Sequence, residues 1–128
     1  DNHILYWQYN IEIIEAHHKF KKDVPSGTAK KMALLLCEAT NLKYPENINF
    51  RTEGITGPRK EDEIGISVIR AGDIVGEHTI LFATEGERIE LTHRASSRKT
   101  FALGALRAAR FLIKQAPGLY SMNDVLGF

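Results

Sequence analysis

Pro25-Ser26-Gly27-Thr28 constrains this chain more than any other four residues. Proline presets a helical backbone angle, and Ser26 or Thr28 can accept an orphaned N–H as the N-cap. The helix it opens is predicted over Ala29 to Thr40. Met32, Leu35, Leu36 and Ala39 form its apolar stripe, and Lys30, Lys31 and Glu38 face water. Before the loop His17 to Gly27 lies a strand pattern from Asn10 to Ala16, with Ile11 and Ile13 facing one way and Glu12, Ile14 and Ala16 the other. A strand end, a loop and a helix start make a usual small-molecule site. The helix start offers unpaired N–H groups and the positive end of the macrodipole, and both suit an anion.

The loop between these elements carries titratable groups. His17 and His18 are neighbours, so on a strand their side chains point to opposite faces and do different jobs. They read either as polar loop residues or as acid–base groups, since histidine titrates near neutrality and Lys21 lies close in sequence. Lys21 reads either as a proton donor or as one more solvated lysine in Lys19-Phe20-Lys21-Lys22. A zinc site from His17, His18, His78 and His93 is a weaker option, because no HExxH or Cys-rich spacing supports it. Ser26-Gly27-Thr28 reads as an anion site or as an ordinary helix cap. Gly27 lets a ligand approach the backbone, and Thr28 adds an N–H and a hydroxyl. Arg94-Ala95-Ser96-Ser97-Arg98 is either a charged helix entry or a second phosphate contact.

Beyond the helix, Asn47 to Asp62 reads as an extended loop, long enough to be functional or an interface arm. Strands are predicted over Ile64 to Arg70, Ile74 to Ala83 and Arg88 to His93. The short turns Ala71-Gly72-Asp73 and Glu85-Gly86-Glu87 point to antiparallel hairpins. Ser96 or Ser97 then caps a helix from about Lys99 to Lys114. Its stripe is Phe101, Leu103, Ala105, Leu106, Ala109, Leu112 and Ile113, and Pro117-Gly118 stops it. The tail from Leu119 to Phe128 is apolar enough to dock, and Asp1 to Tyr9 stays unassigned. The order predicts one α+β domain: a mixed sheet of about four strands with helices on one face.

Composition narrows the function. The 128 residues carry a net charge of +1, which gives no support to nucleic-acid binding. No apolar run approaches the roughly 20 residues of a membrane span, and no signal-peptide pattern is present. The single cysteine, Cys37, lies in the apolar helix pattern and fits a buried role in a reducing, cytoplasmic setting. Asp1, in place of an initiating methionine, is expected of a fragment. Gly54, Gly57, Gly72 and Gly76 lack the GxGxxG spacing between a strand and a helix. Any nucleotide-binding half is therefore expected outside the chain.

Several ordered motifs coincide with one known family. They are Glu15-Ala16-His17-His18, then Lys21, Asp23 and Pro25-Ser26-Gly27-Thr28-Ala29; Thr56-Gly57-Pro58-Arg59; Gly72-Asp73-Ile74-Val75-Gly76-Glu77-His78; and Glu90-Leu91-Thr92-His93-Arg94-Ala95-Ser96-Ser97-Arg98. Pro117-Gly118-Leu119-Tyr120, with Met122 and Asp124-Val125-Leu126, extends the series to the end. With these the chain resembles dihydrodipicolinate reductase over nearly everything after Asn10. The resemblance implies the family's C-terminal substrate-binding and tetramerisation domain, without its N-terminal Rossmann domain for NADPH or NADH. It implies reduction of a cyclic dicarboxylate in diaminopimelate and lysine biosynthesis, with the isolated chain inactive. It implies His17 as proton donor and acceptor, Lys21 as proton donor, and His18, Gly27 and Thr28 as substrate contacts, with no metal. Ser26 joins them from the helix-start physics. The rival expectations are a catalytically silent dicarboxylate-binding module and a metal-dependent lyase or hydrolase.

Overall fold

The computed structural model describes residues 9–128. Of the unassigned N-terminal stretch, all but Tyr9 lies outside them. The single domain expected from length takes the form of two compact units, one ending at Arg94 and one running Ala95–Phe128.

The first unit is a five-stranded mixed sheet with one helix. Its strands are β1 (Asn10–His17), β2 (Ile48–Asn49), β3 (Ile64–Arg70), β4 (Gly76–Thr84) and β5 (Glu87–Ala95), in the order β2-β3-β1-β4-β5. The sequence predicts about four; the extra strand is the two-residue β2, pairing parallel to β3 from inside the expected loop.

One predicted hairpin is absent. β3 and β4 do not pair with each other; they flank β1, parallel and antiparallel to it respectively. The short link between them passes the end of β1, where the Ala71 N–H donates to the His17 carbonyl and the Lys19 N–H to the Gly72 carbonyl, at 3.0 and 3.1 Å. Gly72 takes a positive φ of 50° in that bend. A short link thus marks a reversal of direction without showing which strands become neighbours. The β4–β5 hairpin does form, through Glu85-Gly86, with the Thr79 and Thr92 hydroxyls 2.9 Å apart across it.

The core lies between β1, β3 and helix α1 (Gly27–Thr40). Ile11 pairs with Ile64 and Ile13 with Ile66, and these four pack on Ala29, Ala33 and Cys37. Ser26 is the N-cap, as the sequence suggests. The buried stripe of α1 differs from the expected one: Ala29, Ala33, Cys37 and Thr40 are buried, Met32 and Leu36 flank the core, and Leu35 is 53% exposed. Small residues every fourth position let the helix approach the sheet closely, and the larger apolar side chains fall to its sides. Asn41, at φ 59°, closes the helix with its N–H on the Cys37 and Glu38 carbonyls. Burial pushes the Cys37 thiol up.

The opposite face of β1 holds a charge network that the sequence does not announce. Glu12 receives Arg51 at 2.6 and 3.0 Å and Arg59 at 3.2 Å, and Arg51 also reaches Glu63 at 3.1 Å. Arg59 further donates to the Ile11 and Glu63 carbonyls, both at 2.8 Å. The long loop is thus fastened to β1 and β3. Gly65 makes the network possible, because a Cβ there would lie 2.0 Å from a Glu12 carboxylate oxygen.

The second unit contains α2 (Lys99–Leu112) and α3 (Met122–Leu126). Arg98 occupies the N-cap position of α2 without a side-chain bond, while the Ser97 hydroxyl accepts the Lys99 N–H at 3.1 Å. The helix ends two residues before the predicted Lys114, in a tighter last turn with Lys114 N–H on the Phe111 carbonyl and Gln115 N–H on that of Leu112. The expected stripe is present, yet α2 buries no residue; Phe101, Leu103 and Leu106 are each more than half exposed. In the tail, the Ser121–Asp124 capping box opens α3, and the hydrogen bond from the Ser121 N–H leads in holding the Asp124 carboxyl below its usual range. Phe111 and Tyr120 meet edge to face at 5.6 Å. Among the described residues no helix is long and apolar enough to cross a membrane.

Gly65→Ala is expected to destabilise the fold by about 1–3 kcal/mol, as overpacking against a held side chain does. The same change in a Glu12→Ala background should cost clearly less, because the obstruction is gone. Urea unfolding of the four proteins of this cycle measures the difference.

Candidate active site

The row of β1 side chains that faces α1 changes character along the strand. Ile11 and Ile13 are buried in the core; Glu15 and His17 continue the row to the strand's end. The strand register then sets their neighbours. Glu15 lies opposite His78 of β4, and His17 opposite Arg70 of β3.

Glu15 is 1% exposed, and each oxygen meets a nitrogen. Oε1 lies 2.8 Å from an Arg70 guanidinium nitrogen, and Oε2 lies 2.5 Å from His17 Nδ1. The contacts are short but off the line of ideal hydrogen bonds. The same Arg70 donates to the Asp23 carbonyl at 2.8 Å, tying the loop to β3. The His17 and His78 rings meet nearly edge to face, 5.1 Å between centroids. A Cβ on Gly76 would stand 3.4 Å from His17 Nε2, so glycine gives that ring its room.

His78 is 7% exposed, and its Nε2 shares a 3.1 Å hydrogen bond with the Ser26 hydroxyl. That hydroxyl also accepts the Ala29 N–H at 3.1 Å. Ser26 therefore joins the start of α1 to the histidine pair, and its oxygen is engaged on both sides. Burial pushes the His78 imidazole below its ordinary range. The neighbouring His17 adds to this, Glu15 opposes it, and His93 and Lys21 add smaller repulsions. A neutral His78 keeps a second cation away from His17.

Gly27 and Thr28 are the first residues of α1, and a helix provides no internal acceptor for their N–H groups. Nothing lies within 4 Å of a Cβ placed on Gly27, so the approach is open. Lys21 pairs with Asp23 at 2.8 Å, and this bond leads in holding the Asp23 carboxyl below its usual range. The Lys21 N–H donates to the His18 carbonyl at 3.2 Å, while His18 Nδ1 accepts the Phe20 N–H at 3.2 Å. His18 thus shapes a local turn and does not enter the Glu15–His17–His78 cluster.

Among the described residues, Glu15, His17 and His78 are the His, Cys, Asp or Glu side chains close enough together to share one ion. Of the four histidines raised for zinc, His18 and His93 are not in the group. A metal ion there would have to come between Glu15 and His17, which already meet at 2.5 Å. The donor set fits proton handling better than ligation.

Sequence patterns did not assign roles to Glu15 and Arg70. Glu15 carried a signal, as it lies two residues before His17 on the same strand face. Arg70 carried none, because only the parallel register brings it to His17. His78 was visible as a motif residue, but its bond to Ser26 depends on β4 lying beside β1.

The family model described as "Dihydrodipicolinate reductase, C-terminus" matches residues 2–126. A 4-hydroxy-tetrahydrodipicolinate reductase from Hahella chejuensis is 59% identical over 119 residues, 93% of this chain and 45% of the relative. One from Syntrophus aciditrophicus is 55% identical over 120 residues, 94% and 45% respectively. A solved structure of dipicolinate-bound dihydrodipicolinate reductase from Paenisporosarcina sp. TG-14 superimposes with a TM-score of 0.67 at 28% identity, covering 96% of this chain and 47% of that one. The chain spans about half the length of the curated relatives it matches. Motifs, sheet order and near-complete coverage agree: this chain belongs to the dihydrodipicolinate reductase family, as its C-terminal part.

Proposed function

We propose that this chain is the substrate half of 4-hydroxy-tetrahydrodipicolinate reductase, a cytoplasmic oxidoreductase of diaminopimelate and lysine biosynthesis. The observation that carries the reading is the meeting of His17, at the end of β1, with the open start of α1 through the Ser26–His78 bond. A proton-exchanging group and an anion site are thereby joined. The relatives' shared name and the dipicolinate bound in the structural neighbour support a cyclic dicarboxylate as substrate.

This chain has no glycine-rich strand–helix turn to cradle a dinucleotide, so holding NADPH or NADH is not assigned to its residues. When bound elsewhere in the enzyme, the nucleotide supplies the hydride. The protein's own residues bind and orient the substrate and move a proton. The Gly27 and Thr28 N–H groups and the Thr28 hydroxyl hold one carboxylate at the positive end of α1. Ser26 fixes that end in place, and His18 contributes from the loop. Lys21 exchanges Asp23 for the substrate and, with His17, delivers the proton that must follow reduction.

In the full-length enzyme, Lys21→Ala should lower kcat by about 10²–10⁴-fold, the usual contribution of a general acid. Thr28→Ala should mainly raise KM, because the carboxylate it holds changes little in charge between ground and transition state. The lost bond is worth about 1.5–3 kcal/mol. Steady-state kinetics on both variants decide this. If Lys21→Ala moved only KM, Lys21 would be an anchor. If no variant or parent turned over substrate while dicarboxylate still bound, the silent binding module would be the better reading.

We also propose that the chain assembles into a homo-oligomer, a tetramer by family resemblance. The apolar stripe Phe101, Leu103, Leu106 and Leu112 stays exposed in α2, and a second copy would cover it. Light scattering should return an assembly that Leu106→Lys weakens; a monomer at all practical concentrations would contradict the proposal.

A further inference from the structure

We infer that Glu15, held by Arg70, is a positioning residue that fixes a proton on His17 Nδ1 and leaves Nε2 as the nitrogen that exchanges protons with the ligand. The inference rests on the proposed function for its catalytic consequence, but its structural part stands alone. It begins with a distance. Glu15 Oε2 is 2.5 Å from His17 Nδ1, and the carboxylate is almost wholly buried. A bare Nδ1 lone pair and a carboxylate oxygen repel at that separation, so Nδ1 must carry hydrogen.

Arg70 makes the arrangement one-sided. Its guanidinium occupies Oε1 at 2.8 Å and has only donors, so Oε1 is an acceptor there and Oε2 is left to accept from His17. The groups that face His17 are Glu15 on its own strand, Arg70 on β3 and His78 on β4, with the Lys21–Asp23 pair in the following loop. The neutral His78 presents a ring edge and is bonded to Ser26, so it does not compete for Glu15. Nε2 remains, beside the space that Gly76 keeps clear. The step is a simple proton exchange. The Nε2–H bond breaks, its electron pair stays on the ring, the proton goes to the substrate carbon or nitrogen, and solvent returns a proton to Nε2.

Glu15→Gln separates this role from bulk. Arg70 can bond only the amide oxygen of glutamine, so the amide NH2 must turn towards His17. Nδ1 then becomes an acceptor and the hydrogen moves to Nε2. Long-range proton–nitrogen correlation spectra of the histidine rings, recorded on this chain above the pH of imidazole titration, read the tautomer directly. The unaltered chain should show His17 protonated at Nδ1, and Glu15→Gln should show it at Nε2. In the full-length enzyme the same substitution should lower kcat by between about 10²- and 10⁴-fold, as a wrong histidine tautomer does, with KM for the dicarboxylate held within about threefold.

An Nε2–H tautomer in the unaltered chain would overturn the inference, and that measurement needs no variant to fold. So would a tautomer switch in Glu15→Gln with kcat unchanged. A full-length enzyme that turns over no dicarboxylate at all would instead reject the proposed function, leaving the tautomer result to stand or fall separately.

Discussion

A carboxylate buried in the middle of a sheet is the constraint on which this site depends. Glu15 cannot remain charged inside the fold without partners. Those partners come from two directions: Arg70 from β3 and His17 from its own strand. Removing one partner of such a pair typically costs about 3–5 kcal/mol, since a charge is left buried and unmatched. Arg70 then extends the arrangement outward to the Asp23 carbonyl, and so to the loop that carries Lys21. One buried charge therefore sets the sheet's strand end, the orientation of a histidine and the course of the loop.

β1 carries a second carboxylate treated in the same way on its other face. Glu12 is gripped by Arg51 and Arg59 from the long loop, above a glycine that leaves it room. The two ends of the central strand are thus fixed by arginines on opposite sides. Between them the strand is apolar and packs on the small residues of α1. The close approach of that helix brings Ser26 to His78, and the cap becomes part of the site. Rigid elements hold Glu15, His17, His78 and the start of α1, as a site needing sub-ångström placement requires, while Lys21 is carried on the loop between them.

Much of this was legible beforehand because it is local. A cap at Ser26 or Thr28, the strand expected from Asn10 to Ala16, one residue short of its end at His17, and the hairpin at Glu85-Gly86-Glu87 each depend on a few adjacent residues. The family motifs likewise run in sequence order. The rest depends on which strands become neighbours. Ala71-Gly72-Asp73 reads as a hairpin turn, yet β1 takes the place between β3 and β4. Arg70 and Glu15 could not be matched without that register. The α1 stripe differs from the periodic one for a related reason: residue size, set against the sheet, places Ala29, Ala33 and Cys37 inside and leaves Leu35 out.

The central claim is that the end of β1 and the start of α1 together hold a dicarboxylate. Titrating this chain with pyridine-2,6-dicarboxylate and following amide and imidazole resonances tests it most directly. The account predicts saturable shifts at the Gly27 and Thr28 amides and at the His17 ring, weak in affinity because the chain is about half the length of its relatives. A folded chain with no shift at these three positions at millimolar ligand, or with shifts confined to another surface, would contradict it.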